Sequence, residues 1–99
     1  DTLVKFFQAI EQTNKFIEEN QDKAAQDVNK ATGMETDVFK RTIAGINLKM
    51  DFPKSAYDNL NSISAWAKSN GYYKNDIVLD NYIDTSVLKK ALPDAEVYK

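Results

Sequence analysis

Carboxylates form the groupings in this sequence that come closest to suggesting catalysis. Glu18 and Glu19 are adjacent, and Asp76, Asp80 and Asp84 recur every four residues. Acid–base catalysis needs two carboxylates that face one substrate with separated pKa values. Neighbouring helical residues diverge by about 100°, so the glutamate pair does not face one substrate. The aspartates lack the alternate ligands, turn glycine and closing glutamate of a calcium loop. We therefore expect solvation and capping from these carboxylates, with Asp84 as a helix cap.

The serine hydroxyls are potential nucleophiles, but the chain has no histidine to activate them. The chain contains no histidine and no cysteine. Imidazole bases, thiolate nucleophiles, and zinc, haem or iron–sulfur ligation by these residues are therefore excluded within it. Ser64 lies four residues before Lys68, but no nucleophile elbow or second motif accompanies this pair. Gly33, Gly45 and Gly71 are too widely spaced for a phosphate loop. We predict no catalytic residue, no metal site, no cofactor and no enzyme, and the sequence assigns no ligand-binding residue.

Aromatic side chains offer a second type of chemistry. Trp66, Tyr72, Tyr73 and Tyr82 could stack on a ligand ring or an ammonium group. Trp66, however, lies beside an apolar stripe that includes Ile63. We therefore expect Trp66 to pack in the core and the tyrosines to cover a helix end and a loop.

Composition narrows the class of protein. The 99 residues, with 42% hydrophobic and 28% charged, suit one globular domain. The net charge is −2, and the only arginine is Arg41. This disfavours a nucleic-acid footprint and polybasic docking to anionic lipid. Arg41 could clamp an anion through its planar guanidinium, but it lies beside Lys40 on a charged helix face, where we expect it to be solvated. The chain begins at Asp1 without a leader, as a mature exported protein or an excised fragment would.

Helical periodicity runs along most of the chain and predicts an all-α bundle of about five helices, a single segment over 1–99. We expect helices over about 2–19, from cap Asn20 to Gly33, from cap Thr36 to about 46, over about 53–70, and from Asp84 to Pro93. We also predict extended pieces at 47–52 and 77–79. The expected core faces contain Leu3, Phe7, Ile10, Ile17; Ala24, Ala25, Val28, Ala31; Phe39, Ile43, Ile46; Ala56, Leu60, Ile63, Ala67; and Val87, Leu88, Ala91, Leu92.

Two ordered sets of residues resemble the C-terminal part of ABC-transporter substrate-binding proteins. The similarity is to the nitrate/sulfonate/taurine-type family, which includes binders of thiamine-precursor pyrimidines. The first set is Phe16-Ile17-x-Glu19-Asn20-x-x-x-Ala24-Ala25-x-x-Val28-x-Lys30-x-Thr32-Gly33, and the second is Ala65-Trp66-Ala67-x-x-x-Gly71-Tyr72 followed by Val78-x-x-x-x-Tyr82-Ile83-Asp84-x-Ser86-x-Leu88-x-x-Ala91-Leu92. The chain departs from the family at Gln21 and Thr85, where the family often has proline.

The resemblance implies that the intact protein is a two-lobed α/β receptor with a periplasmic-binding-protein type II fold. A small solute, either an anion such as a sulfonate or nitrate or a thiamine precursor, would bind between lobes that close by hinge motion. The implied partners are the upstream lobes and a membrane permease. The implied location is extracytoplasmic, in the periplasm or lipid-anchored at the outer face of the membrane through a preceding N-terminus. The family's ligand contacts lie mostly upstream, so none is assigned here.

A self-contained helical module that presents an apolar groove to a partner remains the alternative. The apolar residues crowded between Leu3 and Ile10 separate the two hypotheses, because one small helix would not cover them. The receptor hypothesis predicts an exposed apolar patch on the 99-residue chain, with self-association or binding of a hydrophobic dye. The module hypothesis predicts a monodisperse, cooperatively folded monomer.

Overall fold

The computed structural model describes residues 1–99 and is all-helical, which confirms the predicted fold class of this chain. No strand forms, and a single parallel bridge pairs Phe52 with Val97. Of the extended piece predicted at 77–79, Val78 is extended with φ −88° and ψ 100°, whereas Leu79 opens a 3-10 turn instead. The helices are α1 Thr2–Glu19, α2 Gln21–Thr32, α3 Thr36–Ala44, α4 Lys54–Ser69 and α5 Ser86–Ala91, with the 3-10 turn at Leu79–Asn81.

Local signals account for some helix ends and fail at others. Gly33 follows α2 with a φ of 77°, the left-handed conformation that glycine adopts without a steric penalty. Asn20 holds the N-cap position of α2, but its side chain donates to the Phe16 carbonyl at 3.2 Å and makes no cap bond. The predicted cap at Thr36 is wrong: Glu35 occupies the N-cap position, and Thr36 is the first helical residue.

Contacts divide the chain into two compact units. The N-terminal unit is Lys5–Met50, and the C-terminal unit comprises Asp1–Val4 and Asp51–Lys99. Few hydrophobic side chains are buried, and no large side chain is fully buried. The buried hydrophobic residues are Val4, Ala24, Ala25, Phe39 and Ala91.

The core of the N-terminal unit lies where α2 packs against α3. Ala24 and Ala25 are buried beside Phe39, and the partly buried residues around them are Ile17, Val28 and Ile43. The small alanines let the two helices approach closely. Ala31 and Ile46 were predicted in the core but are exposed. Because α3 ends at Ala44, Ile46 lies beyond the helical face that packs.

The apolar face of α4 in the C-terminal unit is largely uncovered. None of its residues is buried, and Leu60 and Ile63 are 39% and 61% exposed, so their predicted place in the core is wrong. The other complete helix of this unit, α5, has six residues and a length of only about 9 Å. It is too short to cover the 16 residues of α4. No helix in the chain combines the length and apolar content required to cross a membrane.

Candidate functional site

The most distinctive surface of the C-terminal unit is an exposed apolar patch along α4, which we call the aromatic surface. It consists of Leu60, Ile63, Trp66 and Tyr72. The three α4 residues share one helical face because they are spaced three apart. Trp66 is 58% exposed and Tyr72 is 72% exposed. The prediction that Trp66 packs in the core is therefore wrong.

The end of α4 explains how Tyr72 reaches Trp66. Gly71 has a φ of 78°, its N–H donates to the Lys68 carbonyl at 3.0 Å, and the Tyr72 N–H donates to the Ala67 carbonyl at 3.0 Å. These two bonds define a Schellman motif, which commonly brings the residue after the glycine onto the last turn of the helix. Here that contact is the stack of Tyr72 on Trp66, with ring centroids 5.6 Å apart and planes 30° apart.

Helical periodicity did not predict this contact, although the sequence contains a signal for it. The Asn-Gly pair indicates where the helix ends, and the aromatic spacing around that pair indicates the stack. Tyr72 directly follows Gly71, and Trp66 lies five residues before that glycine. This spacing is typical of the hydrophobic contact that accompanies a Schellman motif. The resulting surface offers ring faces and aliphatic carbon, which suits an apolar or planar partner.

The Ser64–Lys68 spacing does not form a catalytic pair. The Ser64 hydroxyl lies 2.6 Å from the Tyr73 hydroxyl, which also contacts the Ser64 carbonyl. Lys68 instead pairs with the Asp76 carboxylate. Both groups are therefore occupied by different partners, and Tyr73 is tied to α4 by its polar end.

Asp80 and Asp84, which follow Asp76 at intervals of four residues, also have separate structural partners. Asp80 accepts from the Tyr57 hydroxyl at 2.6 Å and pairs with Lys99 at 2.5 Å. The bond from Lys99, followed by that from Tyr57, lowers the pKa of Asp80. Asp84 accepts from the Ser86 N–H at 2.9 Å, and hydrogen bonds from the Ser86 side chain and then its backbone lower the pKa of Asp84. Both shifts favour the ionised form and move these groups away from the neutral range that acid–base catalysis requires. The predicted N-cap is displaced by one residue, because Thr85 occupies the N-cap position of α5 and no side-chain cap bond forms from it.

Several charged residues of the N-terminal unit form ion pairs near its surface. Asp22 pairs with Lys40, which lowers the pKa of Asp22 and raises that of Lys40. Glu18 and Glu19 line an open depression that also contains this pair. Arg41 is exposed and donates to a backbone carbonyl of its own helix. Glu18, Glu19, Asp22 and Lys40 therefore share one solvent-open depression, and Arg41 is not among its lining residues.

The structure also brings together no group of three or more histidine, cysteine, aspartate or glutamate side chains able to hold a metal ion. No protein-family model, curated protein or solved structure matches the chain. The exposed apolar faces are therefore the features from which a function is argued.

Proposed function

We propose that this chain is the helical C-terminal segment of an extracytoplasmic solute-binding receptor of an ABC importer. The solute would be a small anion such as a sulfonate or nitrate, or a thiamine precursor. In this proposal residues 1–99 are a non-catalytic scaffold that supports one lobe, and the permease and solute engage the intact receptor. The observation that carries the proposal is the extent of apolar helix face left uncovered.

Uncovered faces occur on more than one helix. On α1, Leu3 and Phe6 are 57% and 58% exposed, and on α4 Ile63 and Trp66 have similar exposure. An amphipathic helix is stabilised mainly by burying its apolar face against another layer. In a two-lobed α/β protein that layer would be a sheet supplied by upstream residues. Such cover would account for faces that the 99 residues leave open.

The distribution of polar groups is consistent with a scaffold role. Asp76, Asp80 and Asp84 are each held by lysines, a tyrosine hydroxyl or a backbone N–H, and the polar side chains around Glu18 and Glu19 line an open depression rather than an enclosed cavity on which donors converge. Solute recognition in a receptor needs such convergence, and the resemblance assigns it to the upstream lobes. The chain would then contribute to closure by hinge motion through packing alone.

The aromatic surface favours a second candidate, a self-contained helical module that binds a partner. Leu60, Ile63 and Trp66 share one helical face, Tyr72 stacks on Trp66, and this exposed and largely apolar surface is like those that receive an amphipathic helix. In this case the same surface would be covered reversibly by another protein.

Extending the sequence of the source locus upstream of Asp1 tests the receptor proposal directly. We expect roughly 200 further in-frame residues with alternating strand and helix patterns behind an export leader. Binding of a hydrophobic dye should then be strong for the 99-residue chain and weak for the longer protein. A start codon or leader cleavage site directly before Asp1, or equal dye binding by both proteins, would contradict the proposal.

A further inference from the structure

The geometry points to Asn70–Gly71 as a site of spontaneous deamidation that the folded end of α4 holds closed. It is the only Asn-Gly pair in the sequence, and both residues are exposed. Glycine has no side chain to obstruct attack by its own backbone nitrogen, and Asn is among the thermolabile residues. This modification site is independent of the proposed function.

The reaction needs only water. The Gly71 backbone nitrogen loses its proton and attacks Cγ of Asn70, forming a C–N bond and a five-membered succinimide. The bond from Cγ to Nδ2 breaks, and Nδ2 leaves as ammonia. Water then adds to either ring carbonyl and opens the ring to aspartate or isoaspartate. The net change replaces NH by O, with no oxidation or reduction.

Three features of the folded chain oppose this attack. The Gly71 N–H is held by the Lys68 carbonyl at 3.0 Å, which disfavours loss of its proton. The leaving amide is also held, because Asn70 Nδ2 donates to the Trp66 carbonyl at 2.8 Å. At the Asn70 ψ of 8° the Gly71 nitrogen nearly eclipses the Asn70 backbone nitrogen, whereas ring closure needs it to eclipse Cβ. Deamidation therefore requires the Schellman motif to open.

Both products would weaken the helix end that held the site closed, to different extents. Aspartate at position 70 replaces a donor to the Trp66 carbonyl by a carboxylate, and its charge lies at the negative end of the α4 dipole. Isoaspartate adds a carbon to the backbone and displaces Gly71, so the Tyr72 N–H no longer reaches its acceptor. Isoaspartate therefore separates Tyr72 from Trp66 and alters the aromatic surface, whereas aspartate leaves the backbone N–H donors of Gly71 and Tyr72 in place and removes only the side-chain bond to the Trp66 carbonyl.

Peptide mapping by mass spectrometry tests this inference on the full 99-residue chain at mildly alkaline pH. In guanidinium chloride we expect rapid conversion of Asn70, while Asn61, which precedes Ser62, serves as the internal control. In the folded chain the rate of Asn70 deamidation should be lower than in the denatured chain by about tenfold or more, because the reaction occurs only when the end of α4 opens locally. Tyr72→Ala removes the stack and should restore much of the unfolded rate, whereas Tyr82→Ala, at another exposed tyrosine, should leave it unchanged.

Three results would overturn the inference. The first is conversion of Asn70 no faster than that of Asn61 in the denatured chain, which would show that Asn70 is not an especially reactive site. The second is an equal rate in folded and denatured chain, which would show that the helix end does not protect it. The third is equal acceleration by Tyr72→Ala and Tyr82→Ala, which would remove the role of the stack. Asn70→Gln, which keeps an amide but disfavours ring closure, should abolish the product.

Discussion

Replacing Trp66 with alanine should destabilise the chain less than replacing Phe39, although tryptophan is the larger side chain. Phe39 is 9% exposed and is the large residue of the core between α2 and α3. Its truncation leaves a cavity, and we expect a loss of about 3–5 kcal/mol. Trp66 is 58% exposed, so less than half of its surface leaves water on folding.

The expected loss for Trp66→Ala follows from its partial burial and one ring contact. A stacked aromatic pair contributes about 0.5–1.5 kcal/mol beyond its buried area. With the partial burial added, we expect a loss of about 1–2 kcal/mol. Val38→Ala, next to Phe39 but 37% exposed, is the matched control in the N-terminal unit and should cost much less than Phe39→Ala.

Urea unfolding followed by far-UV circular dichroism measures these losses as changes in the free energy of unfolding. Trp66 is the only tryptophan, so its fluorescence adds an independent test of exposure. We expect emission close to that of tryptophan in water and efficient quenching by iodide. A loss at Trp66 as large as the loss at Phe39, together with blue-shifted and poorly quenched emission, would refute the exposed placement.

Two further predictions concern a helix end and a charged cluster. Gly33→Ala should lower the free energy of unfolding by about 1 kcal/mol, because Gly33 has a φ of 77° and no atom crowds an added Cβ. Gly45→Ala is the control and should cause no loss of stability, because Gly45 has a φ of −94°. Thermal unfolding compares the two variants, and equal losses of stability would show that the positive φ of Gly33 is not the cause. Hydrogen bonds from Lys99 and then from Tyr57 lower the pKa of Asp80 in the folded chain below its ordinary value of 3.8. The stability that ionised Asp80 contributes is therefore fully present at a pH above 3.8 and is lost as the pH falls through the pKa of the folded state. Asp80→Asn should make the free energy of unfolding less dependent on pH in that range. Tyr57→Phe should raise the Asp80 pKa in an NMR titration, and an unchanged pKa would refute the hydrogen bond between Tyr57 and Asp80.

Helix positions could be predicted from the sequence because their signals are local. The bounds of α1 match the apolar period, and Gly33 and Gly71 adopt the positive φ expected of glycine after a helix. Burial was less predictable, since periodicity identifies an apolar face but not the element that covers it. Phe39 is buried because α2 lies against it, whereas Trp66 belongs to a face of α4 on which no residue is buried.

The stack of Tyr72 on Trp66 also provides a way to separate the two functional hypotheses. Lasting cover by upstream lobes would restrain Tyr72 and reduce opening of the α4 end, so Asn70 should deamidate more slowly in the longer protein than in the 99-residue chain. Reversible cover by a partner would leave the unbound rate the same in both and lower it only when the partner is added. Because opening of a helix end depends on the packing around it, the rate at this one residue reports which kind of cover the aromatic surface receives.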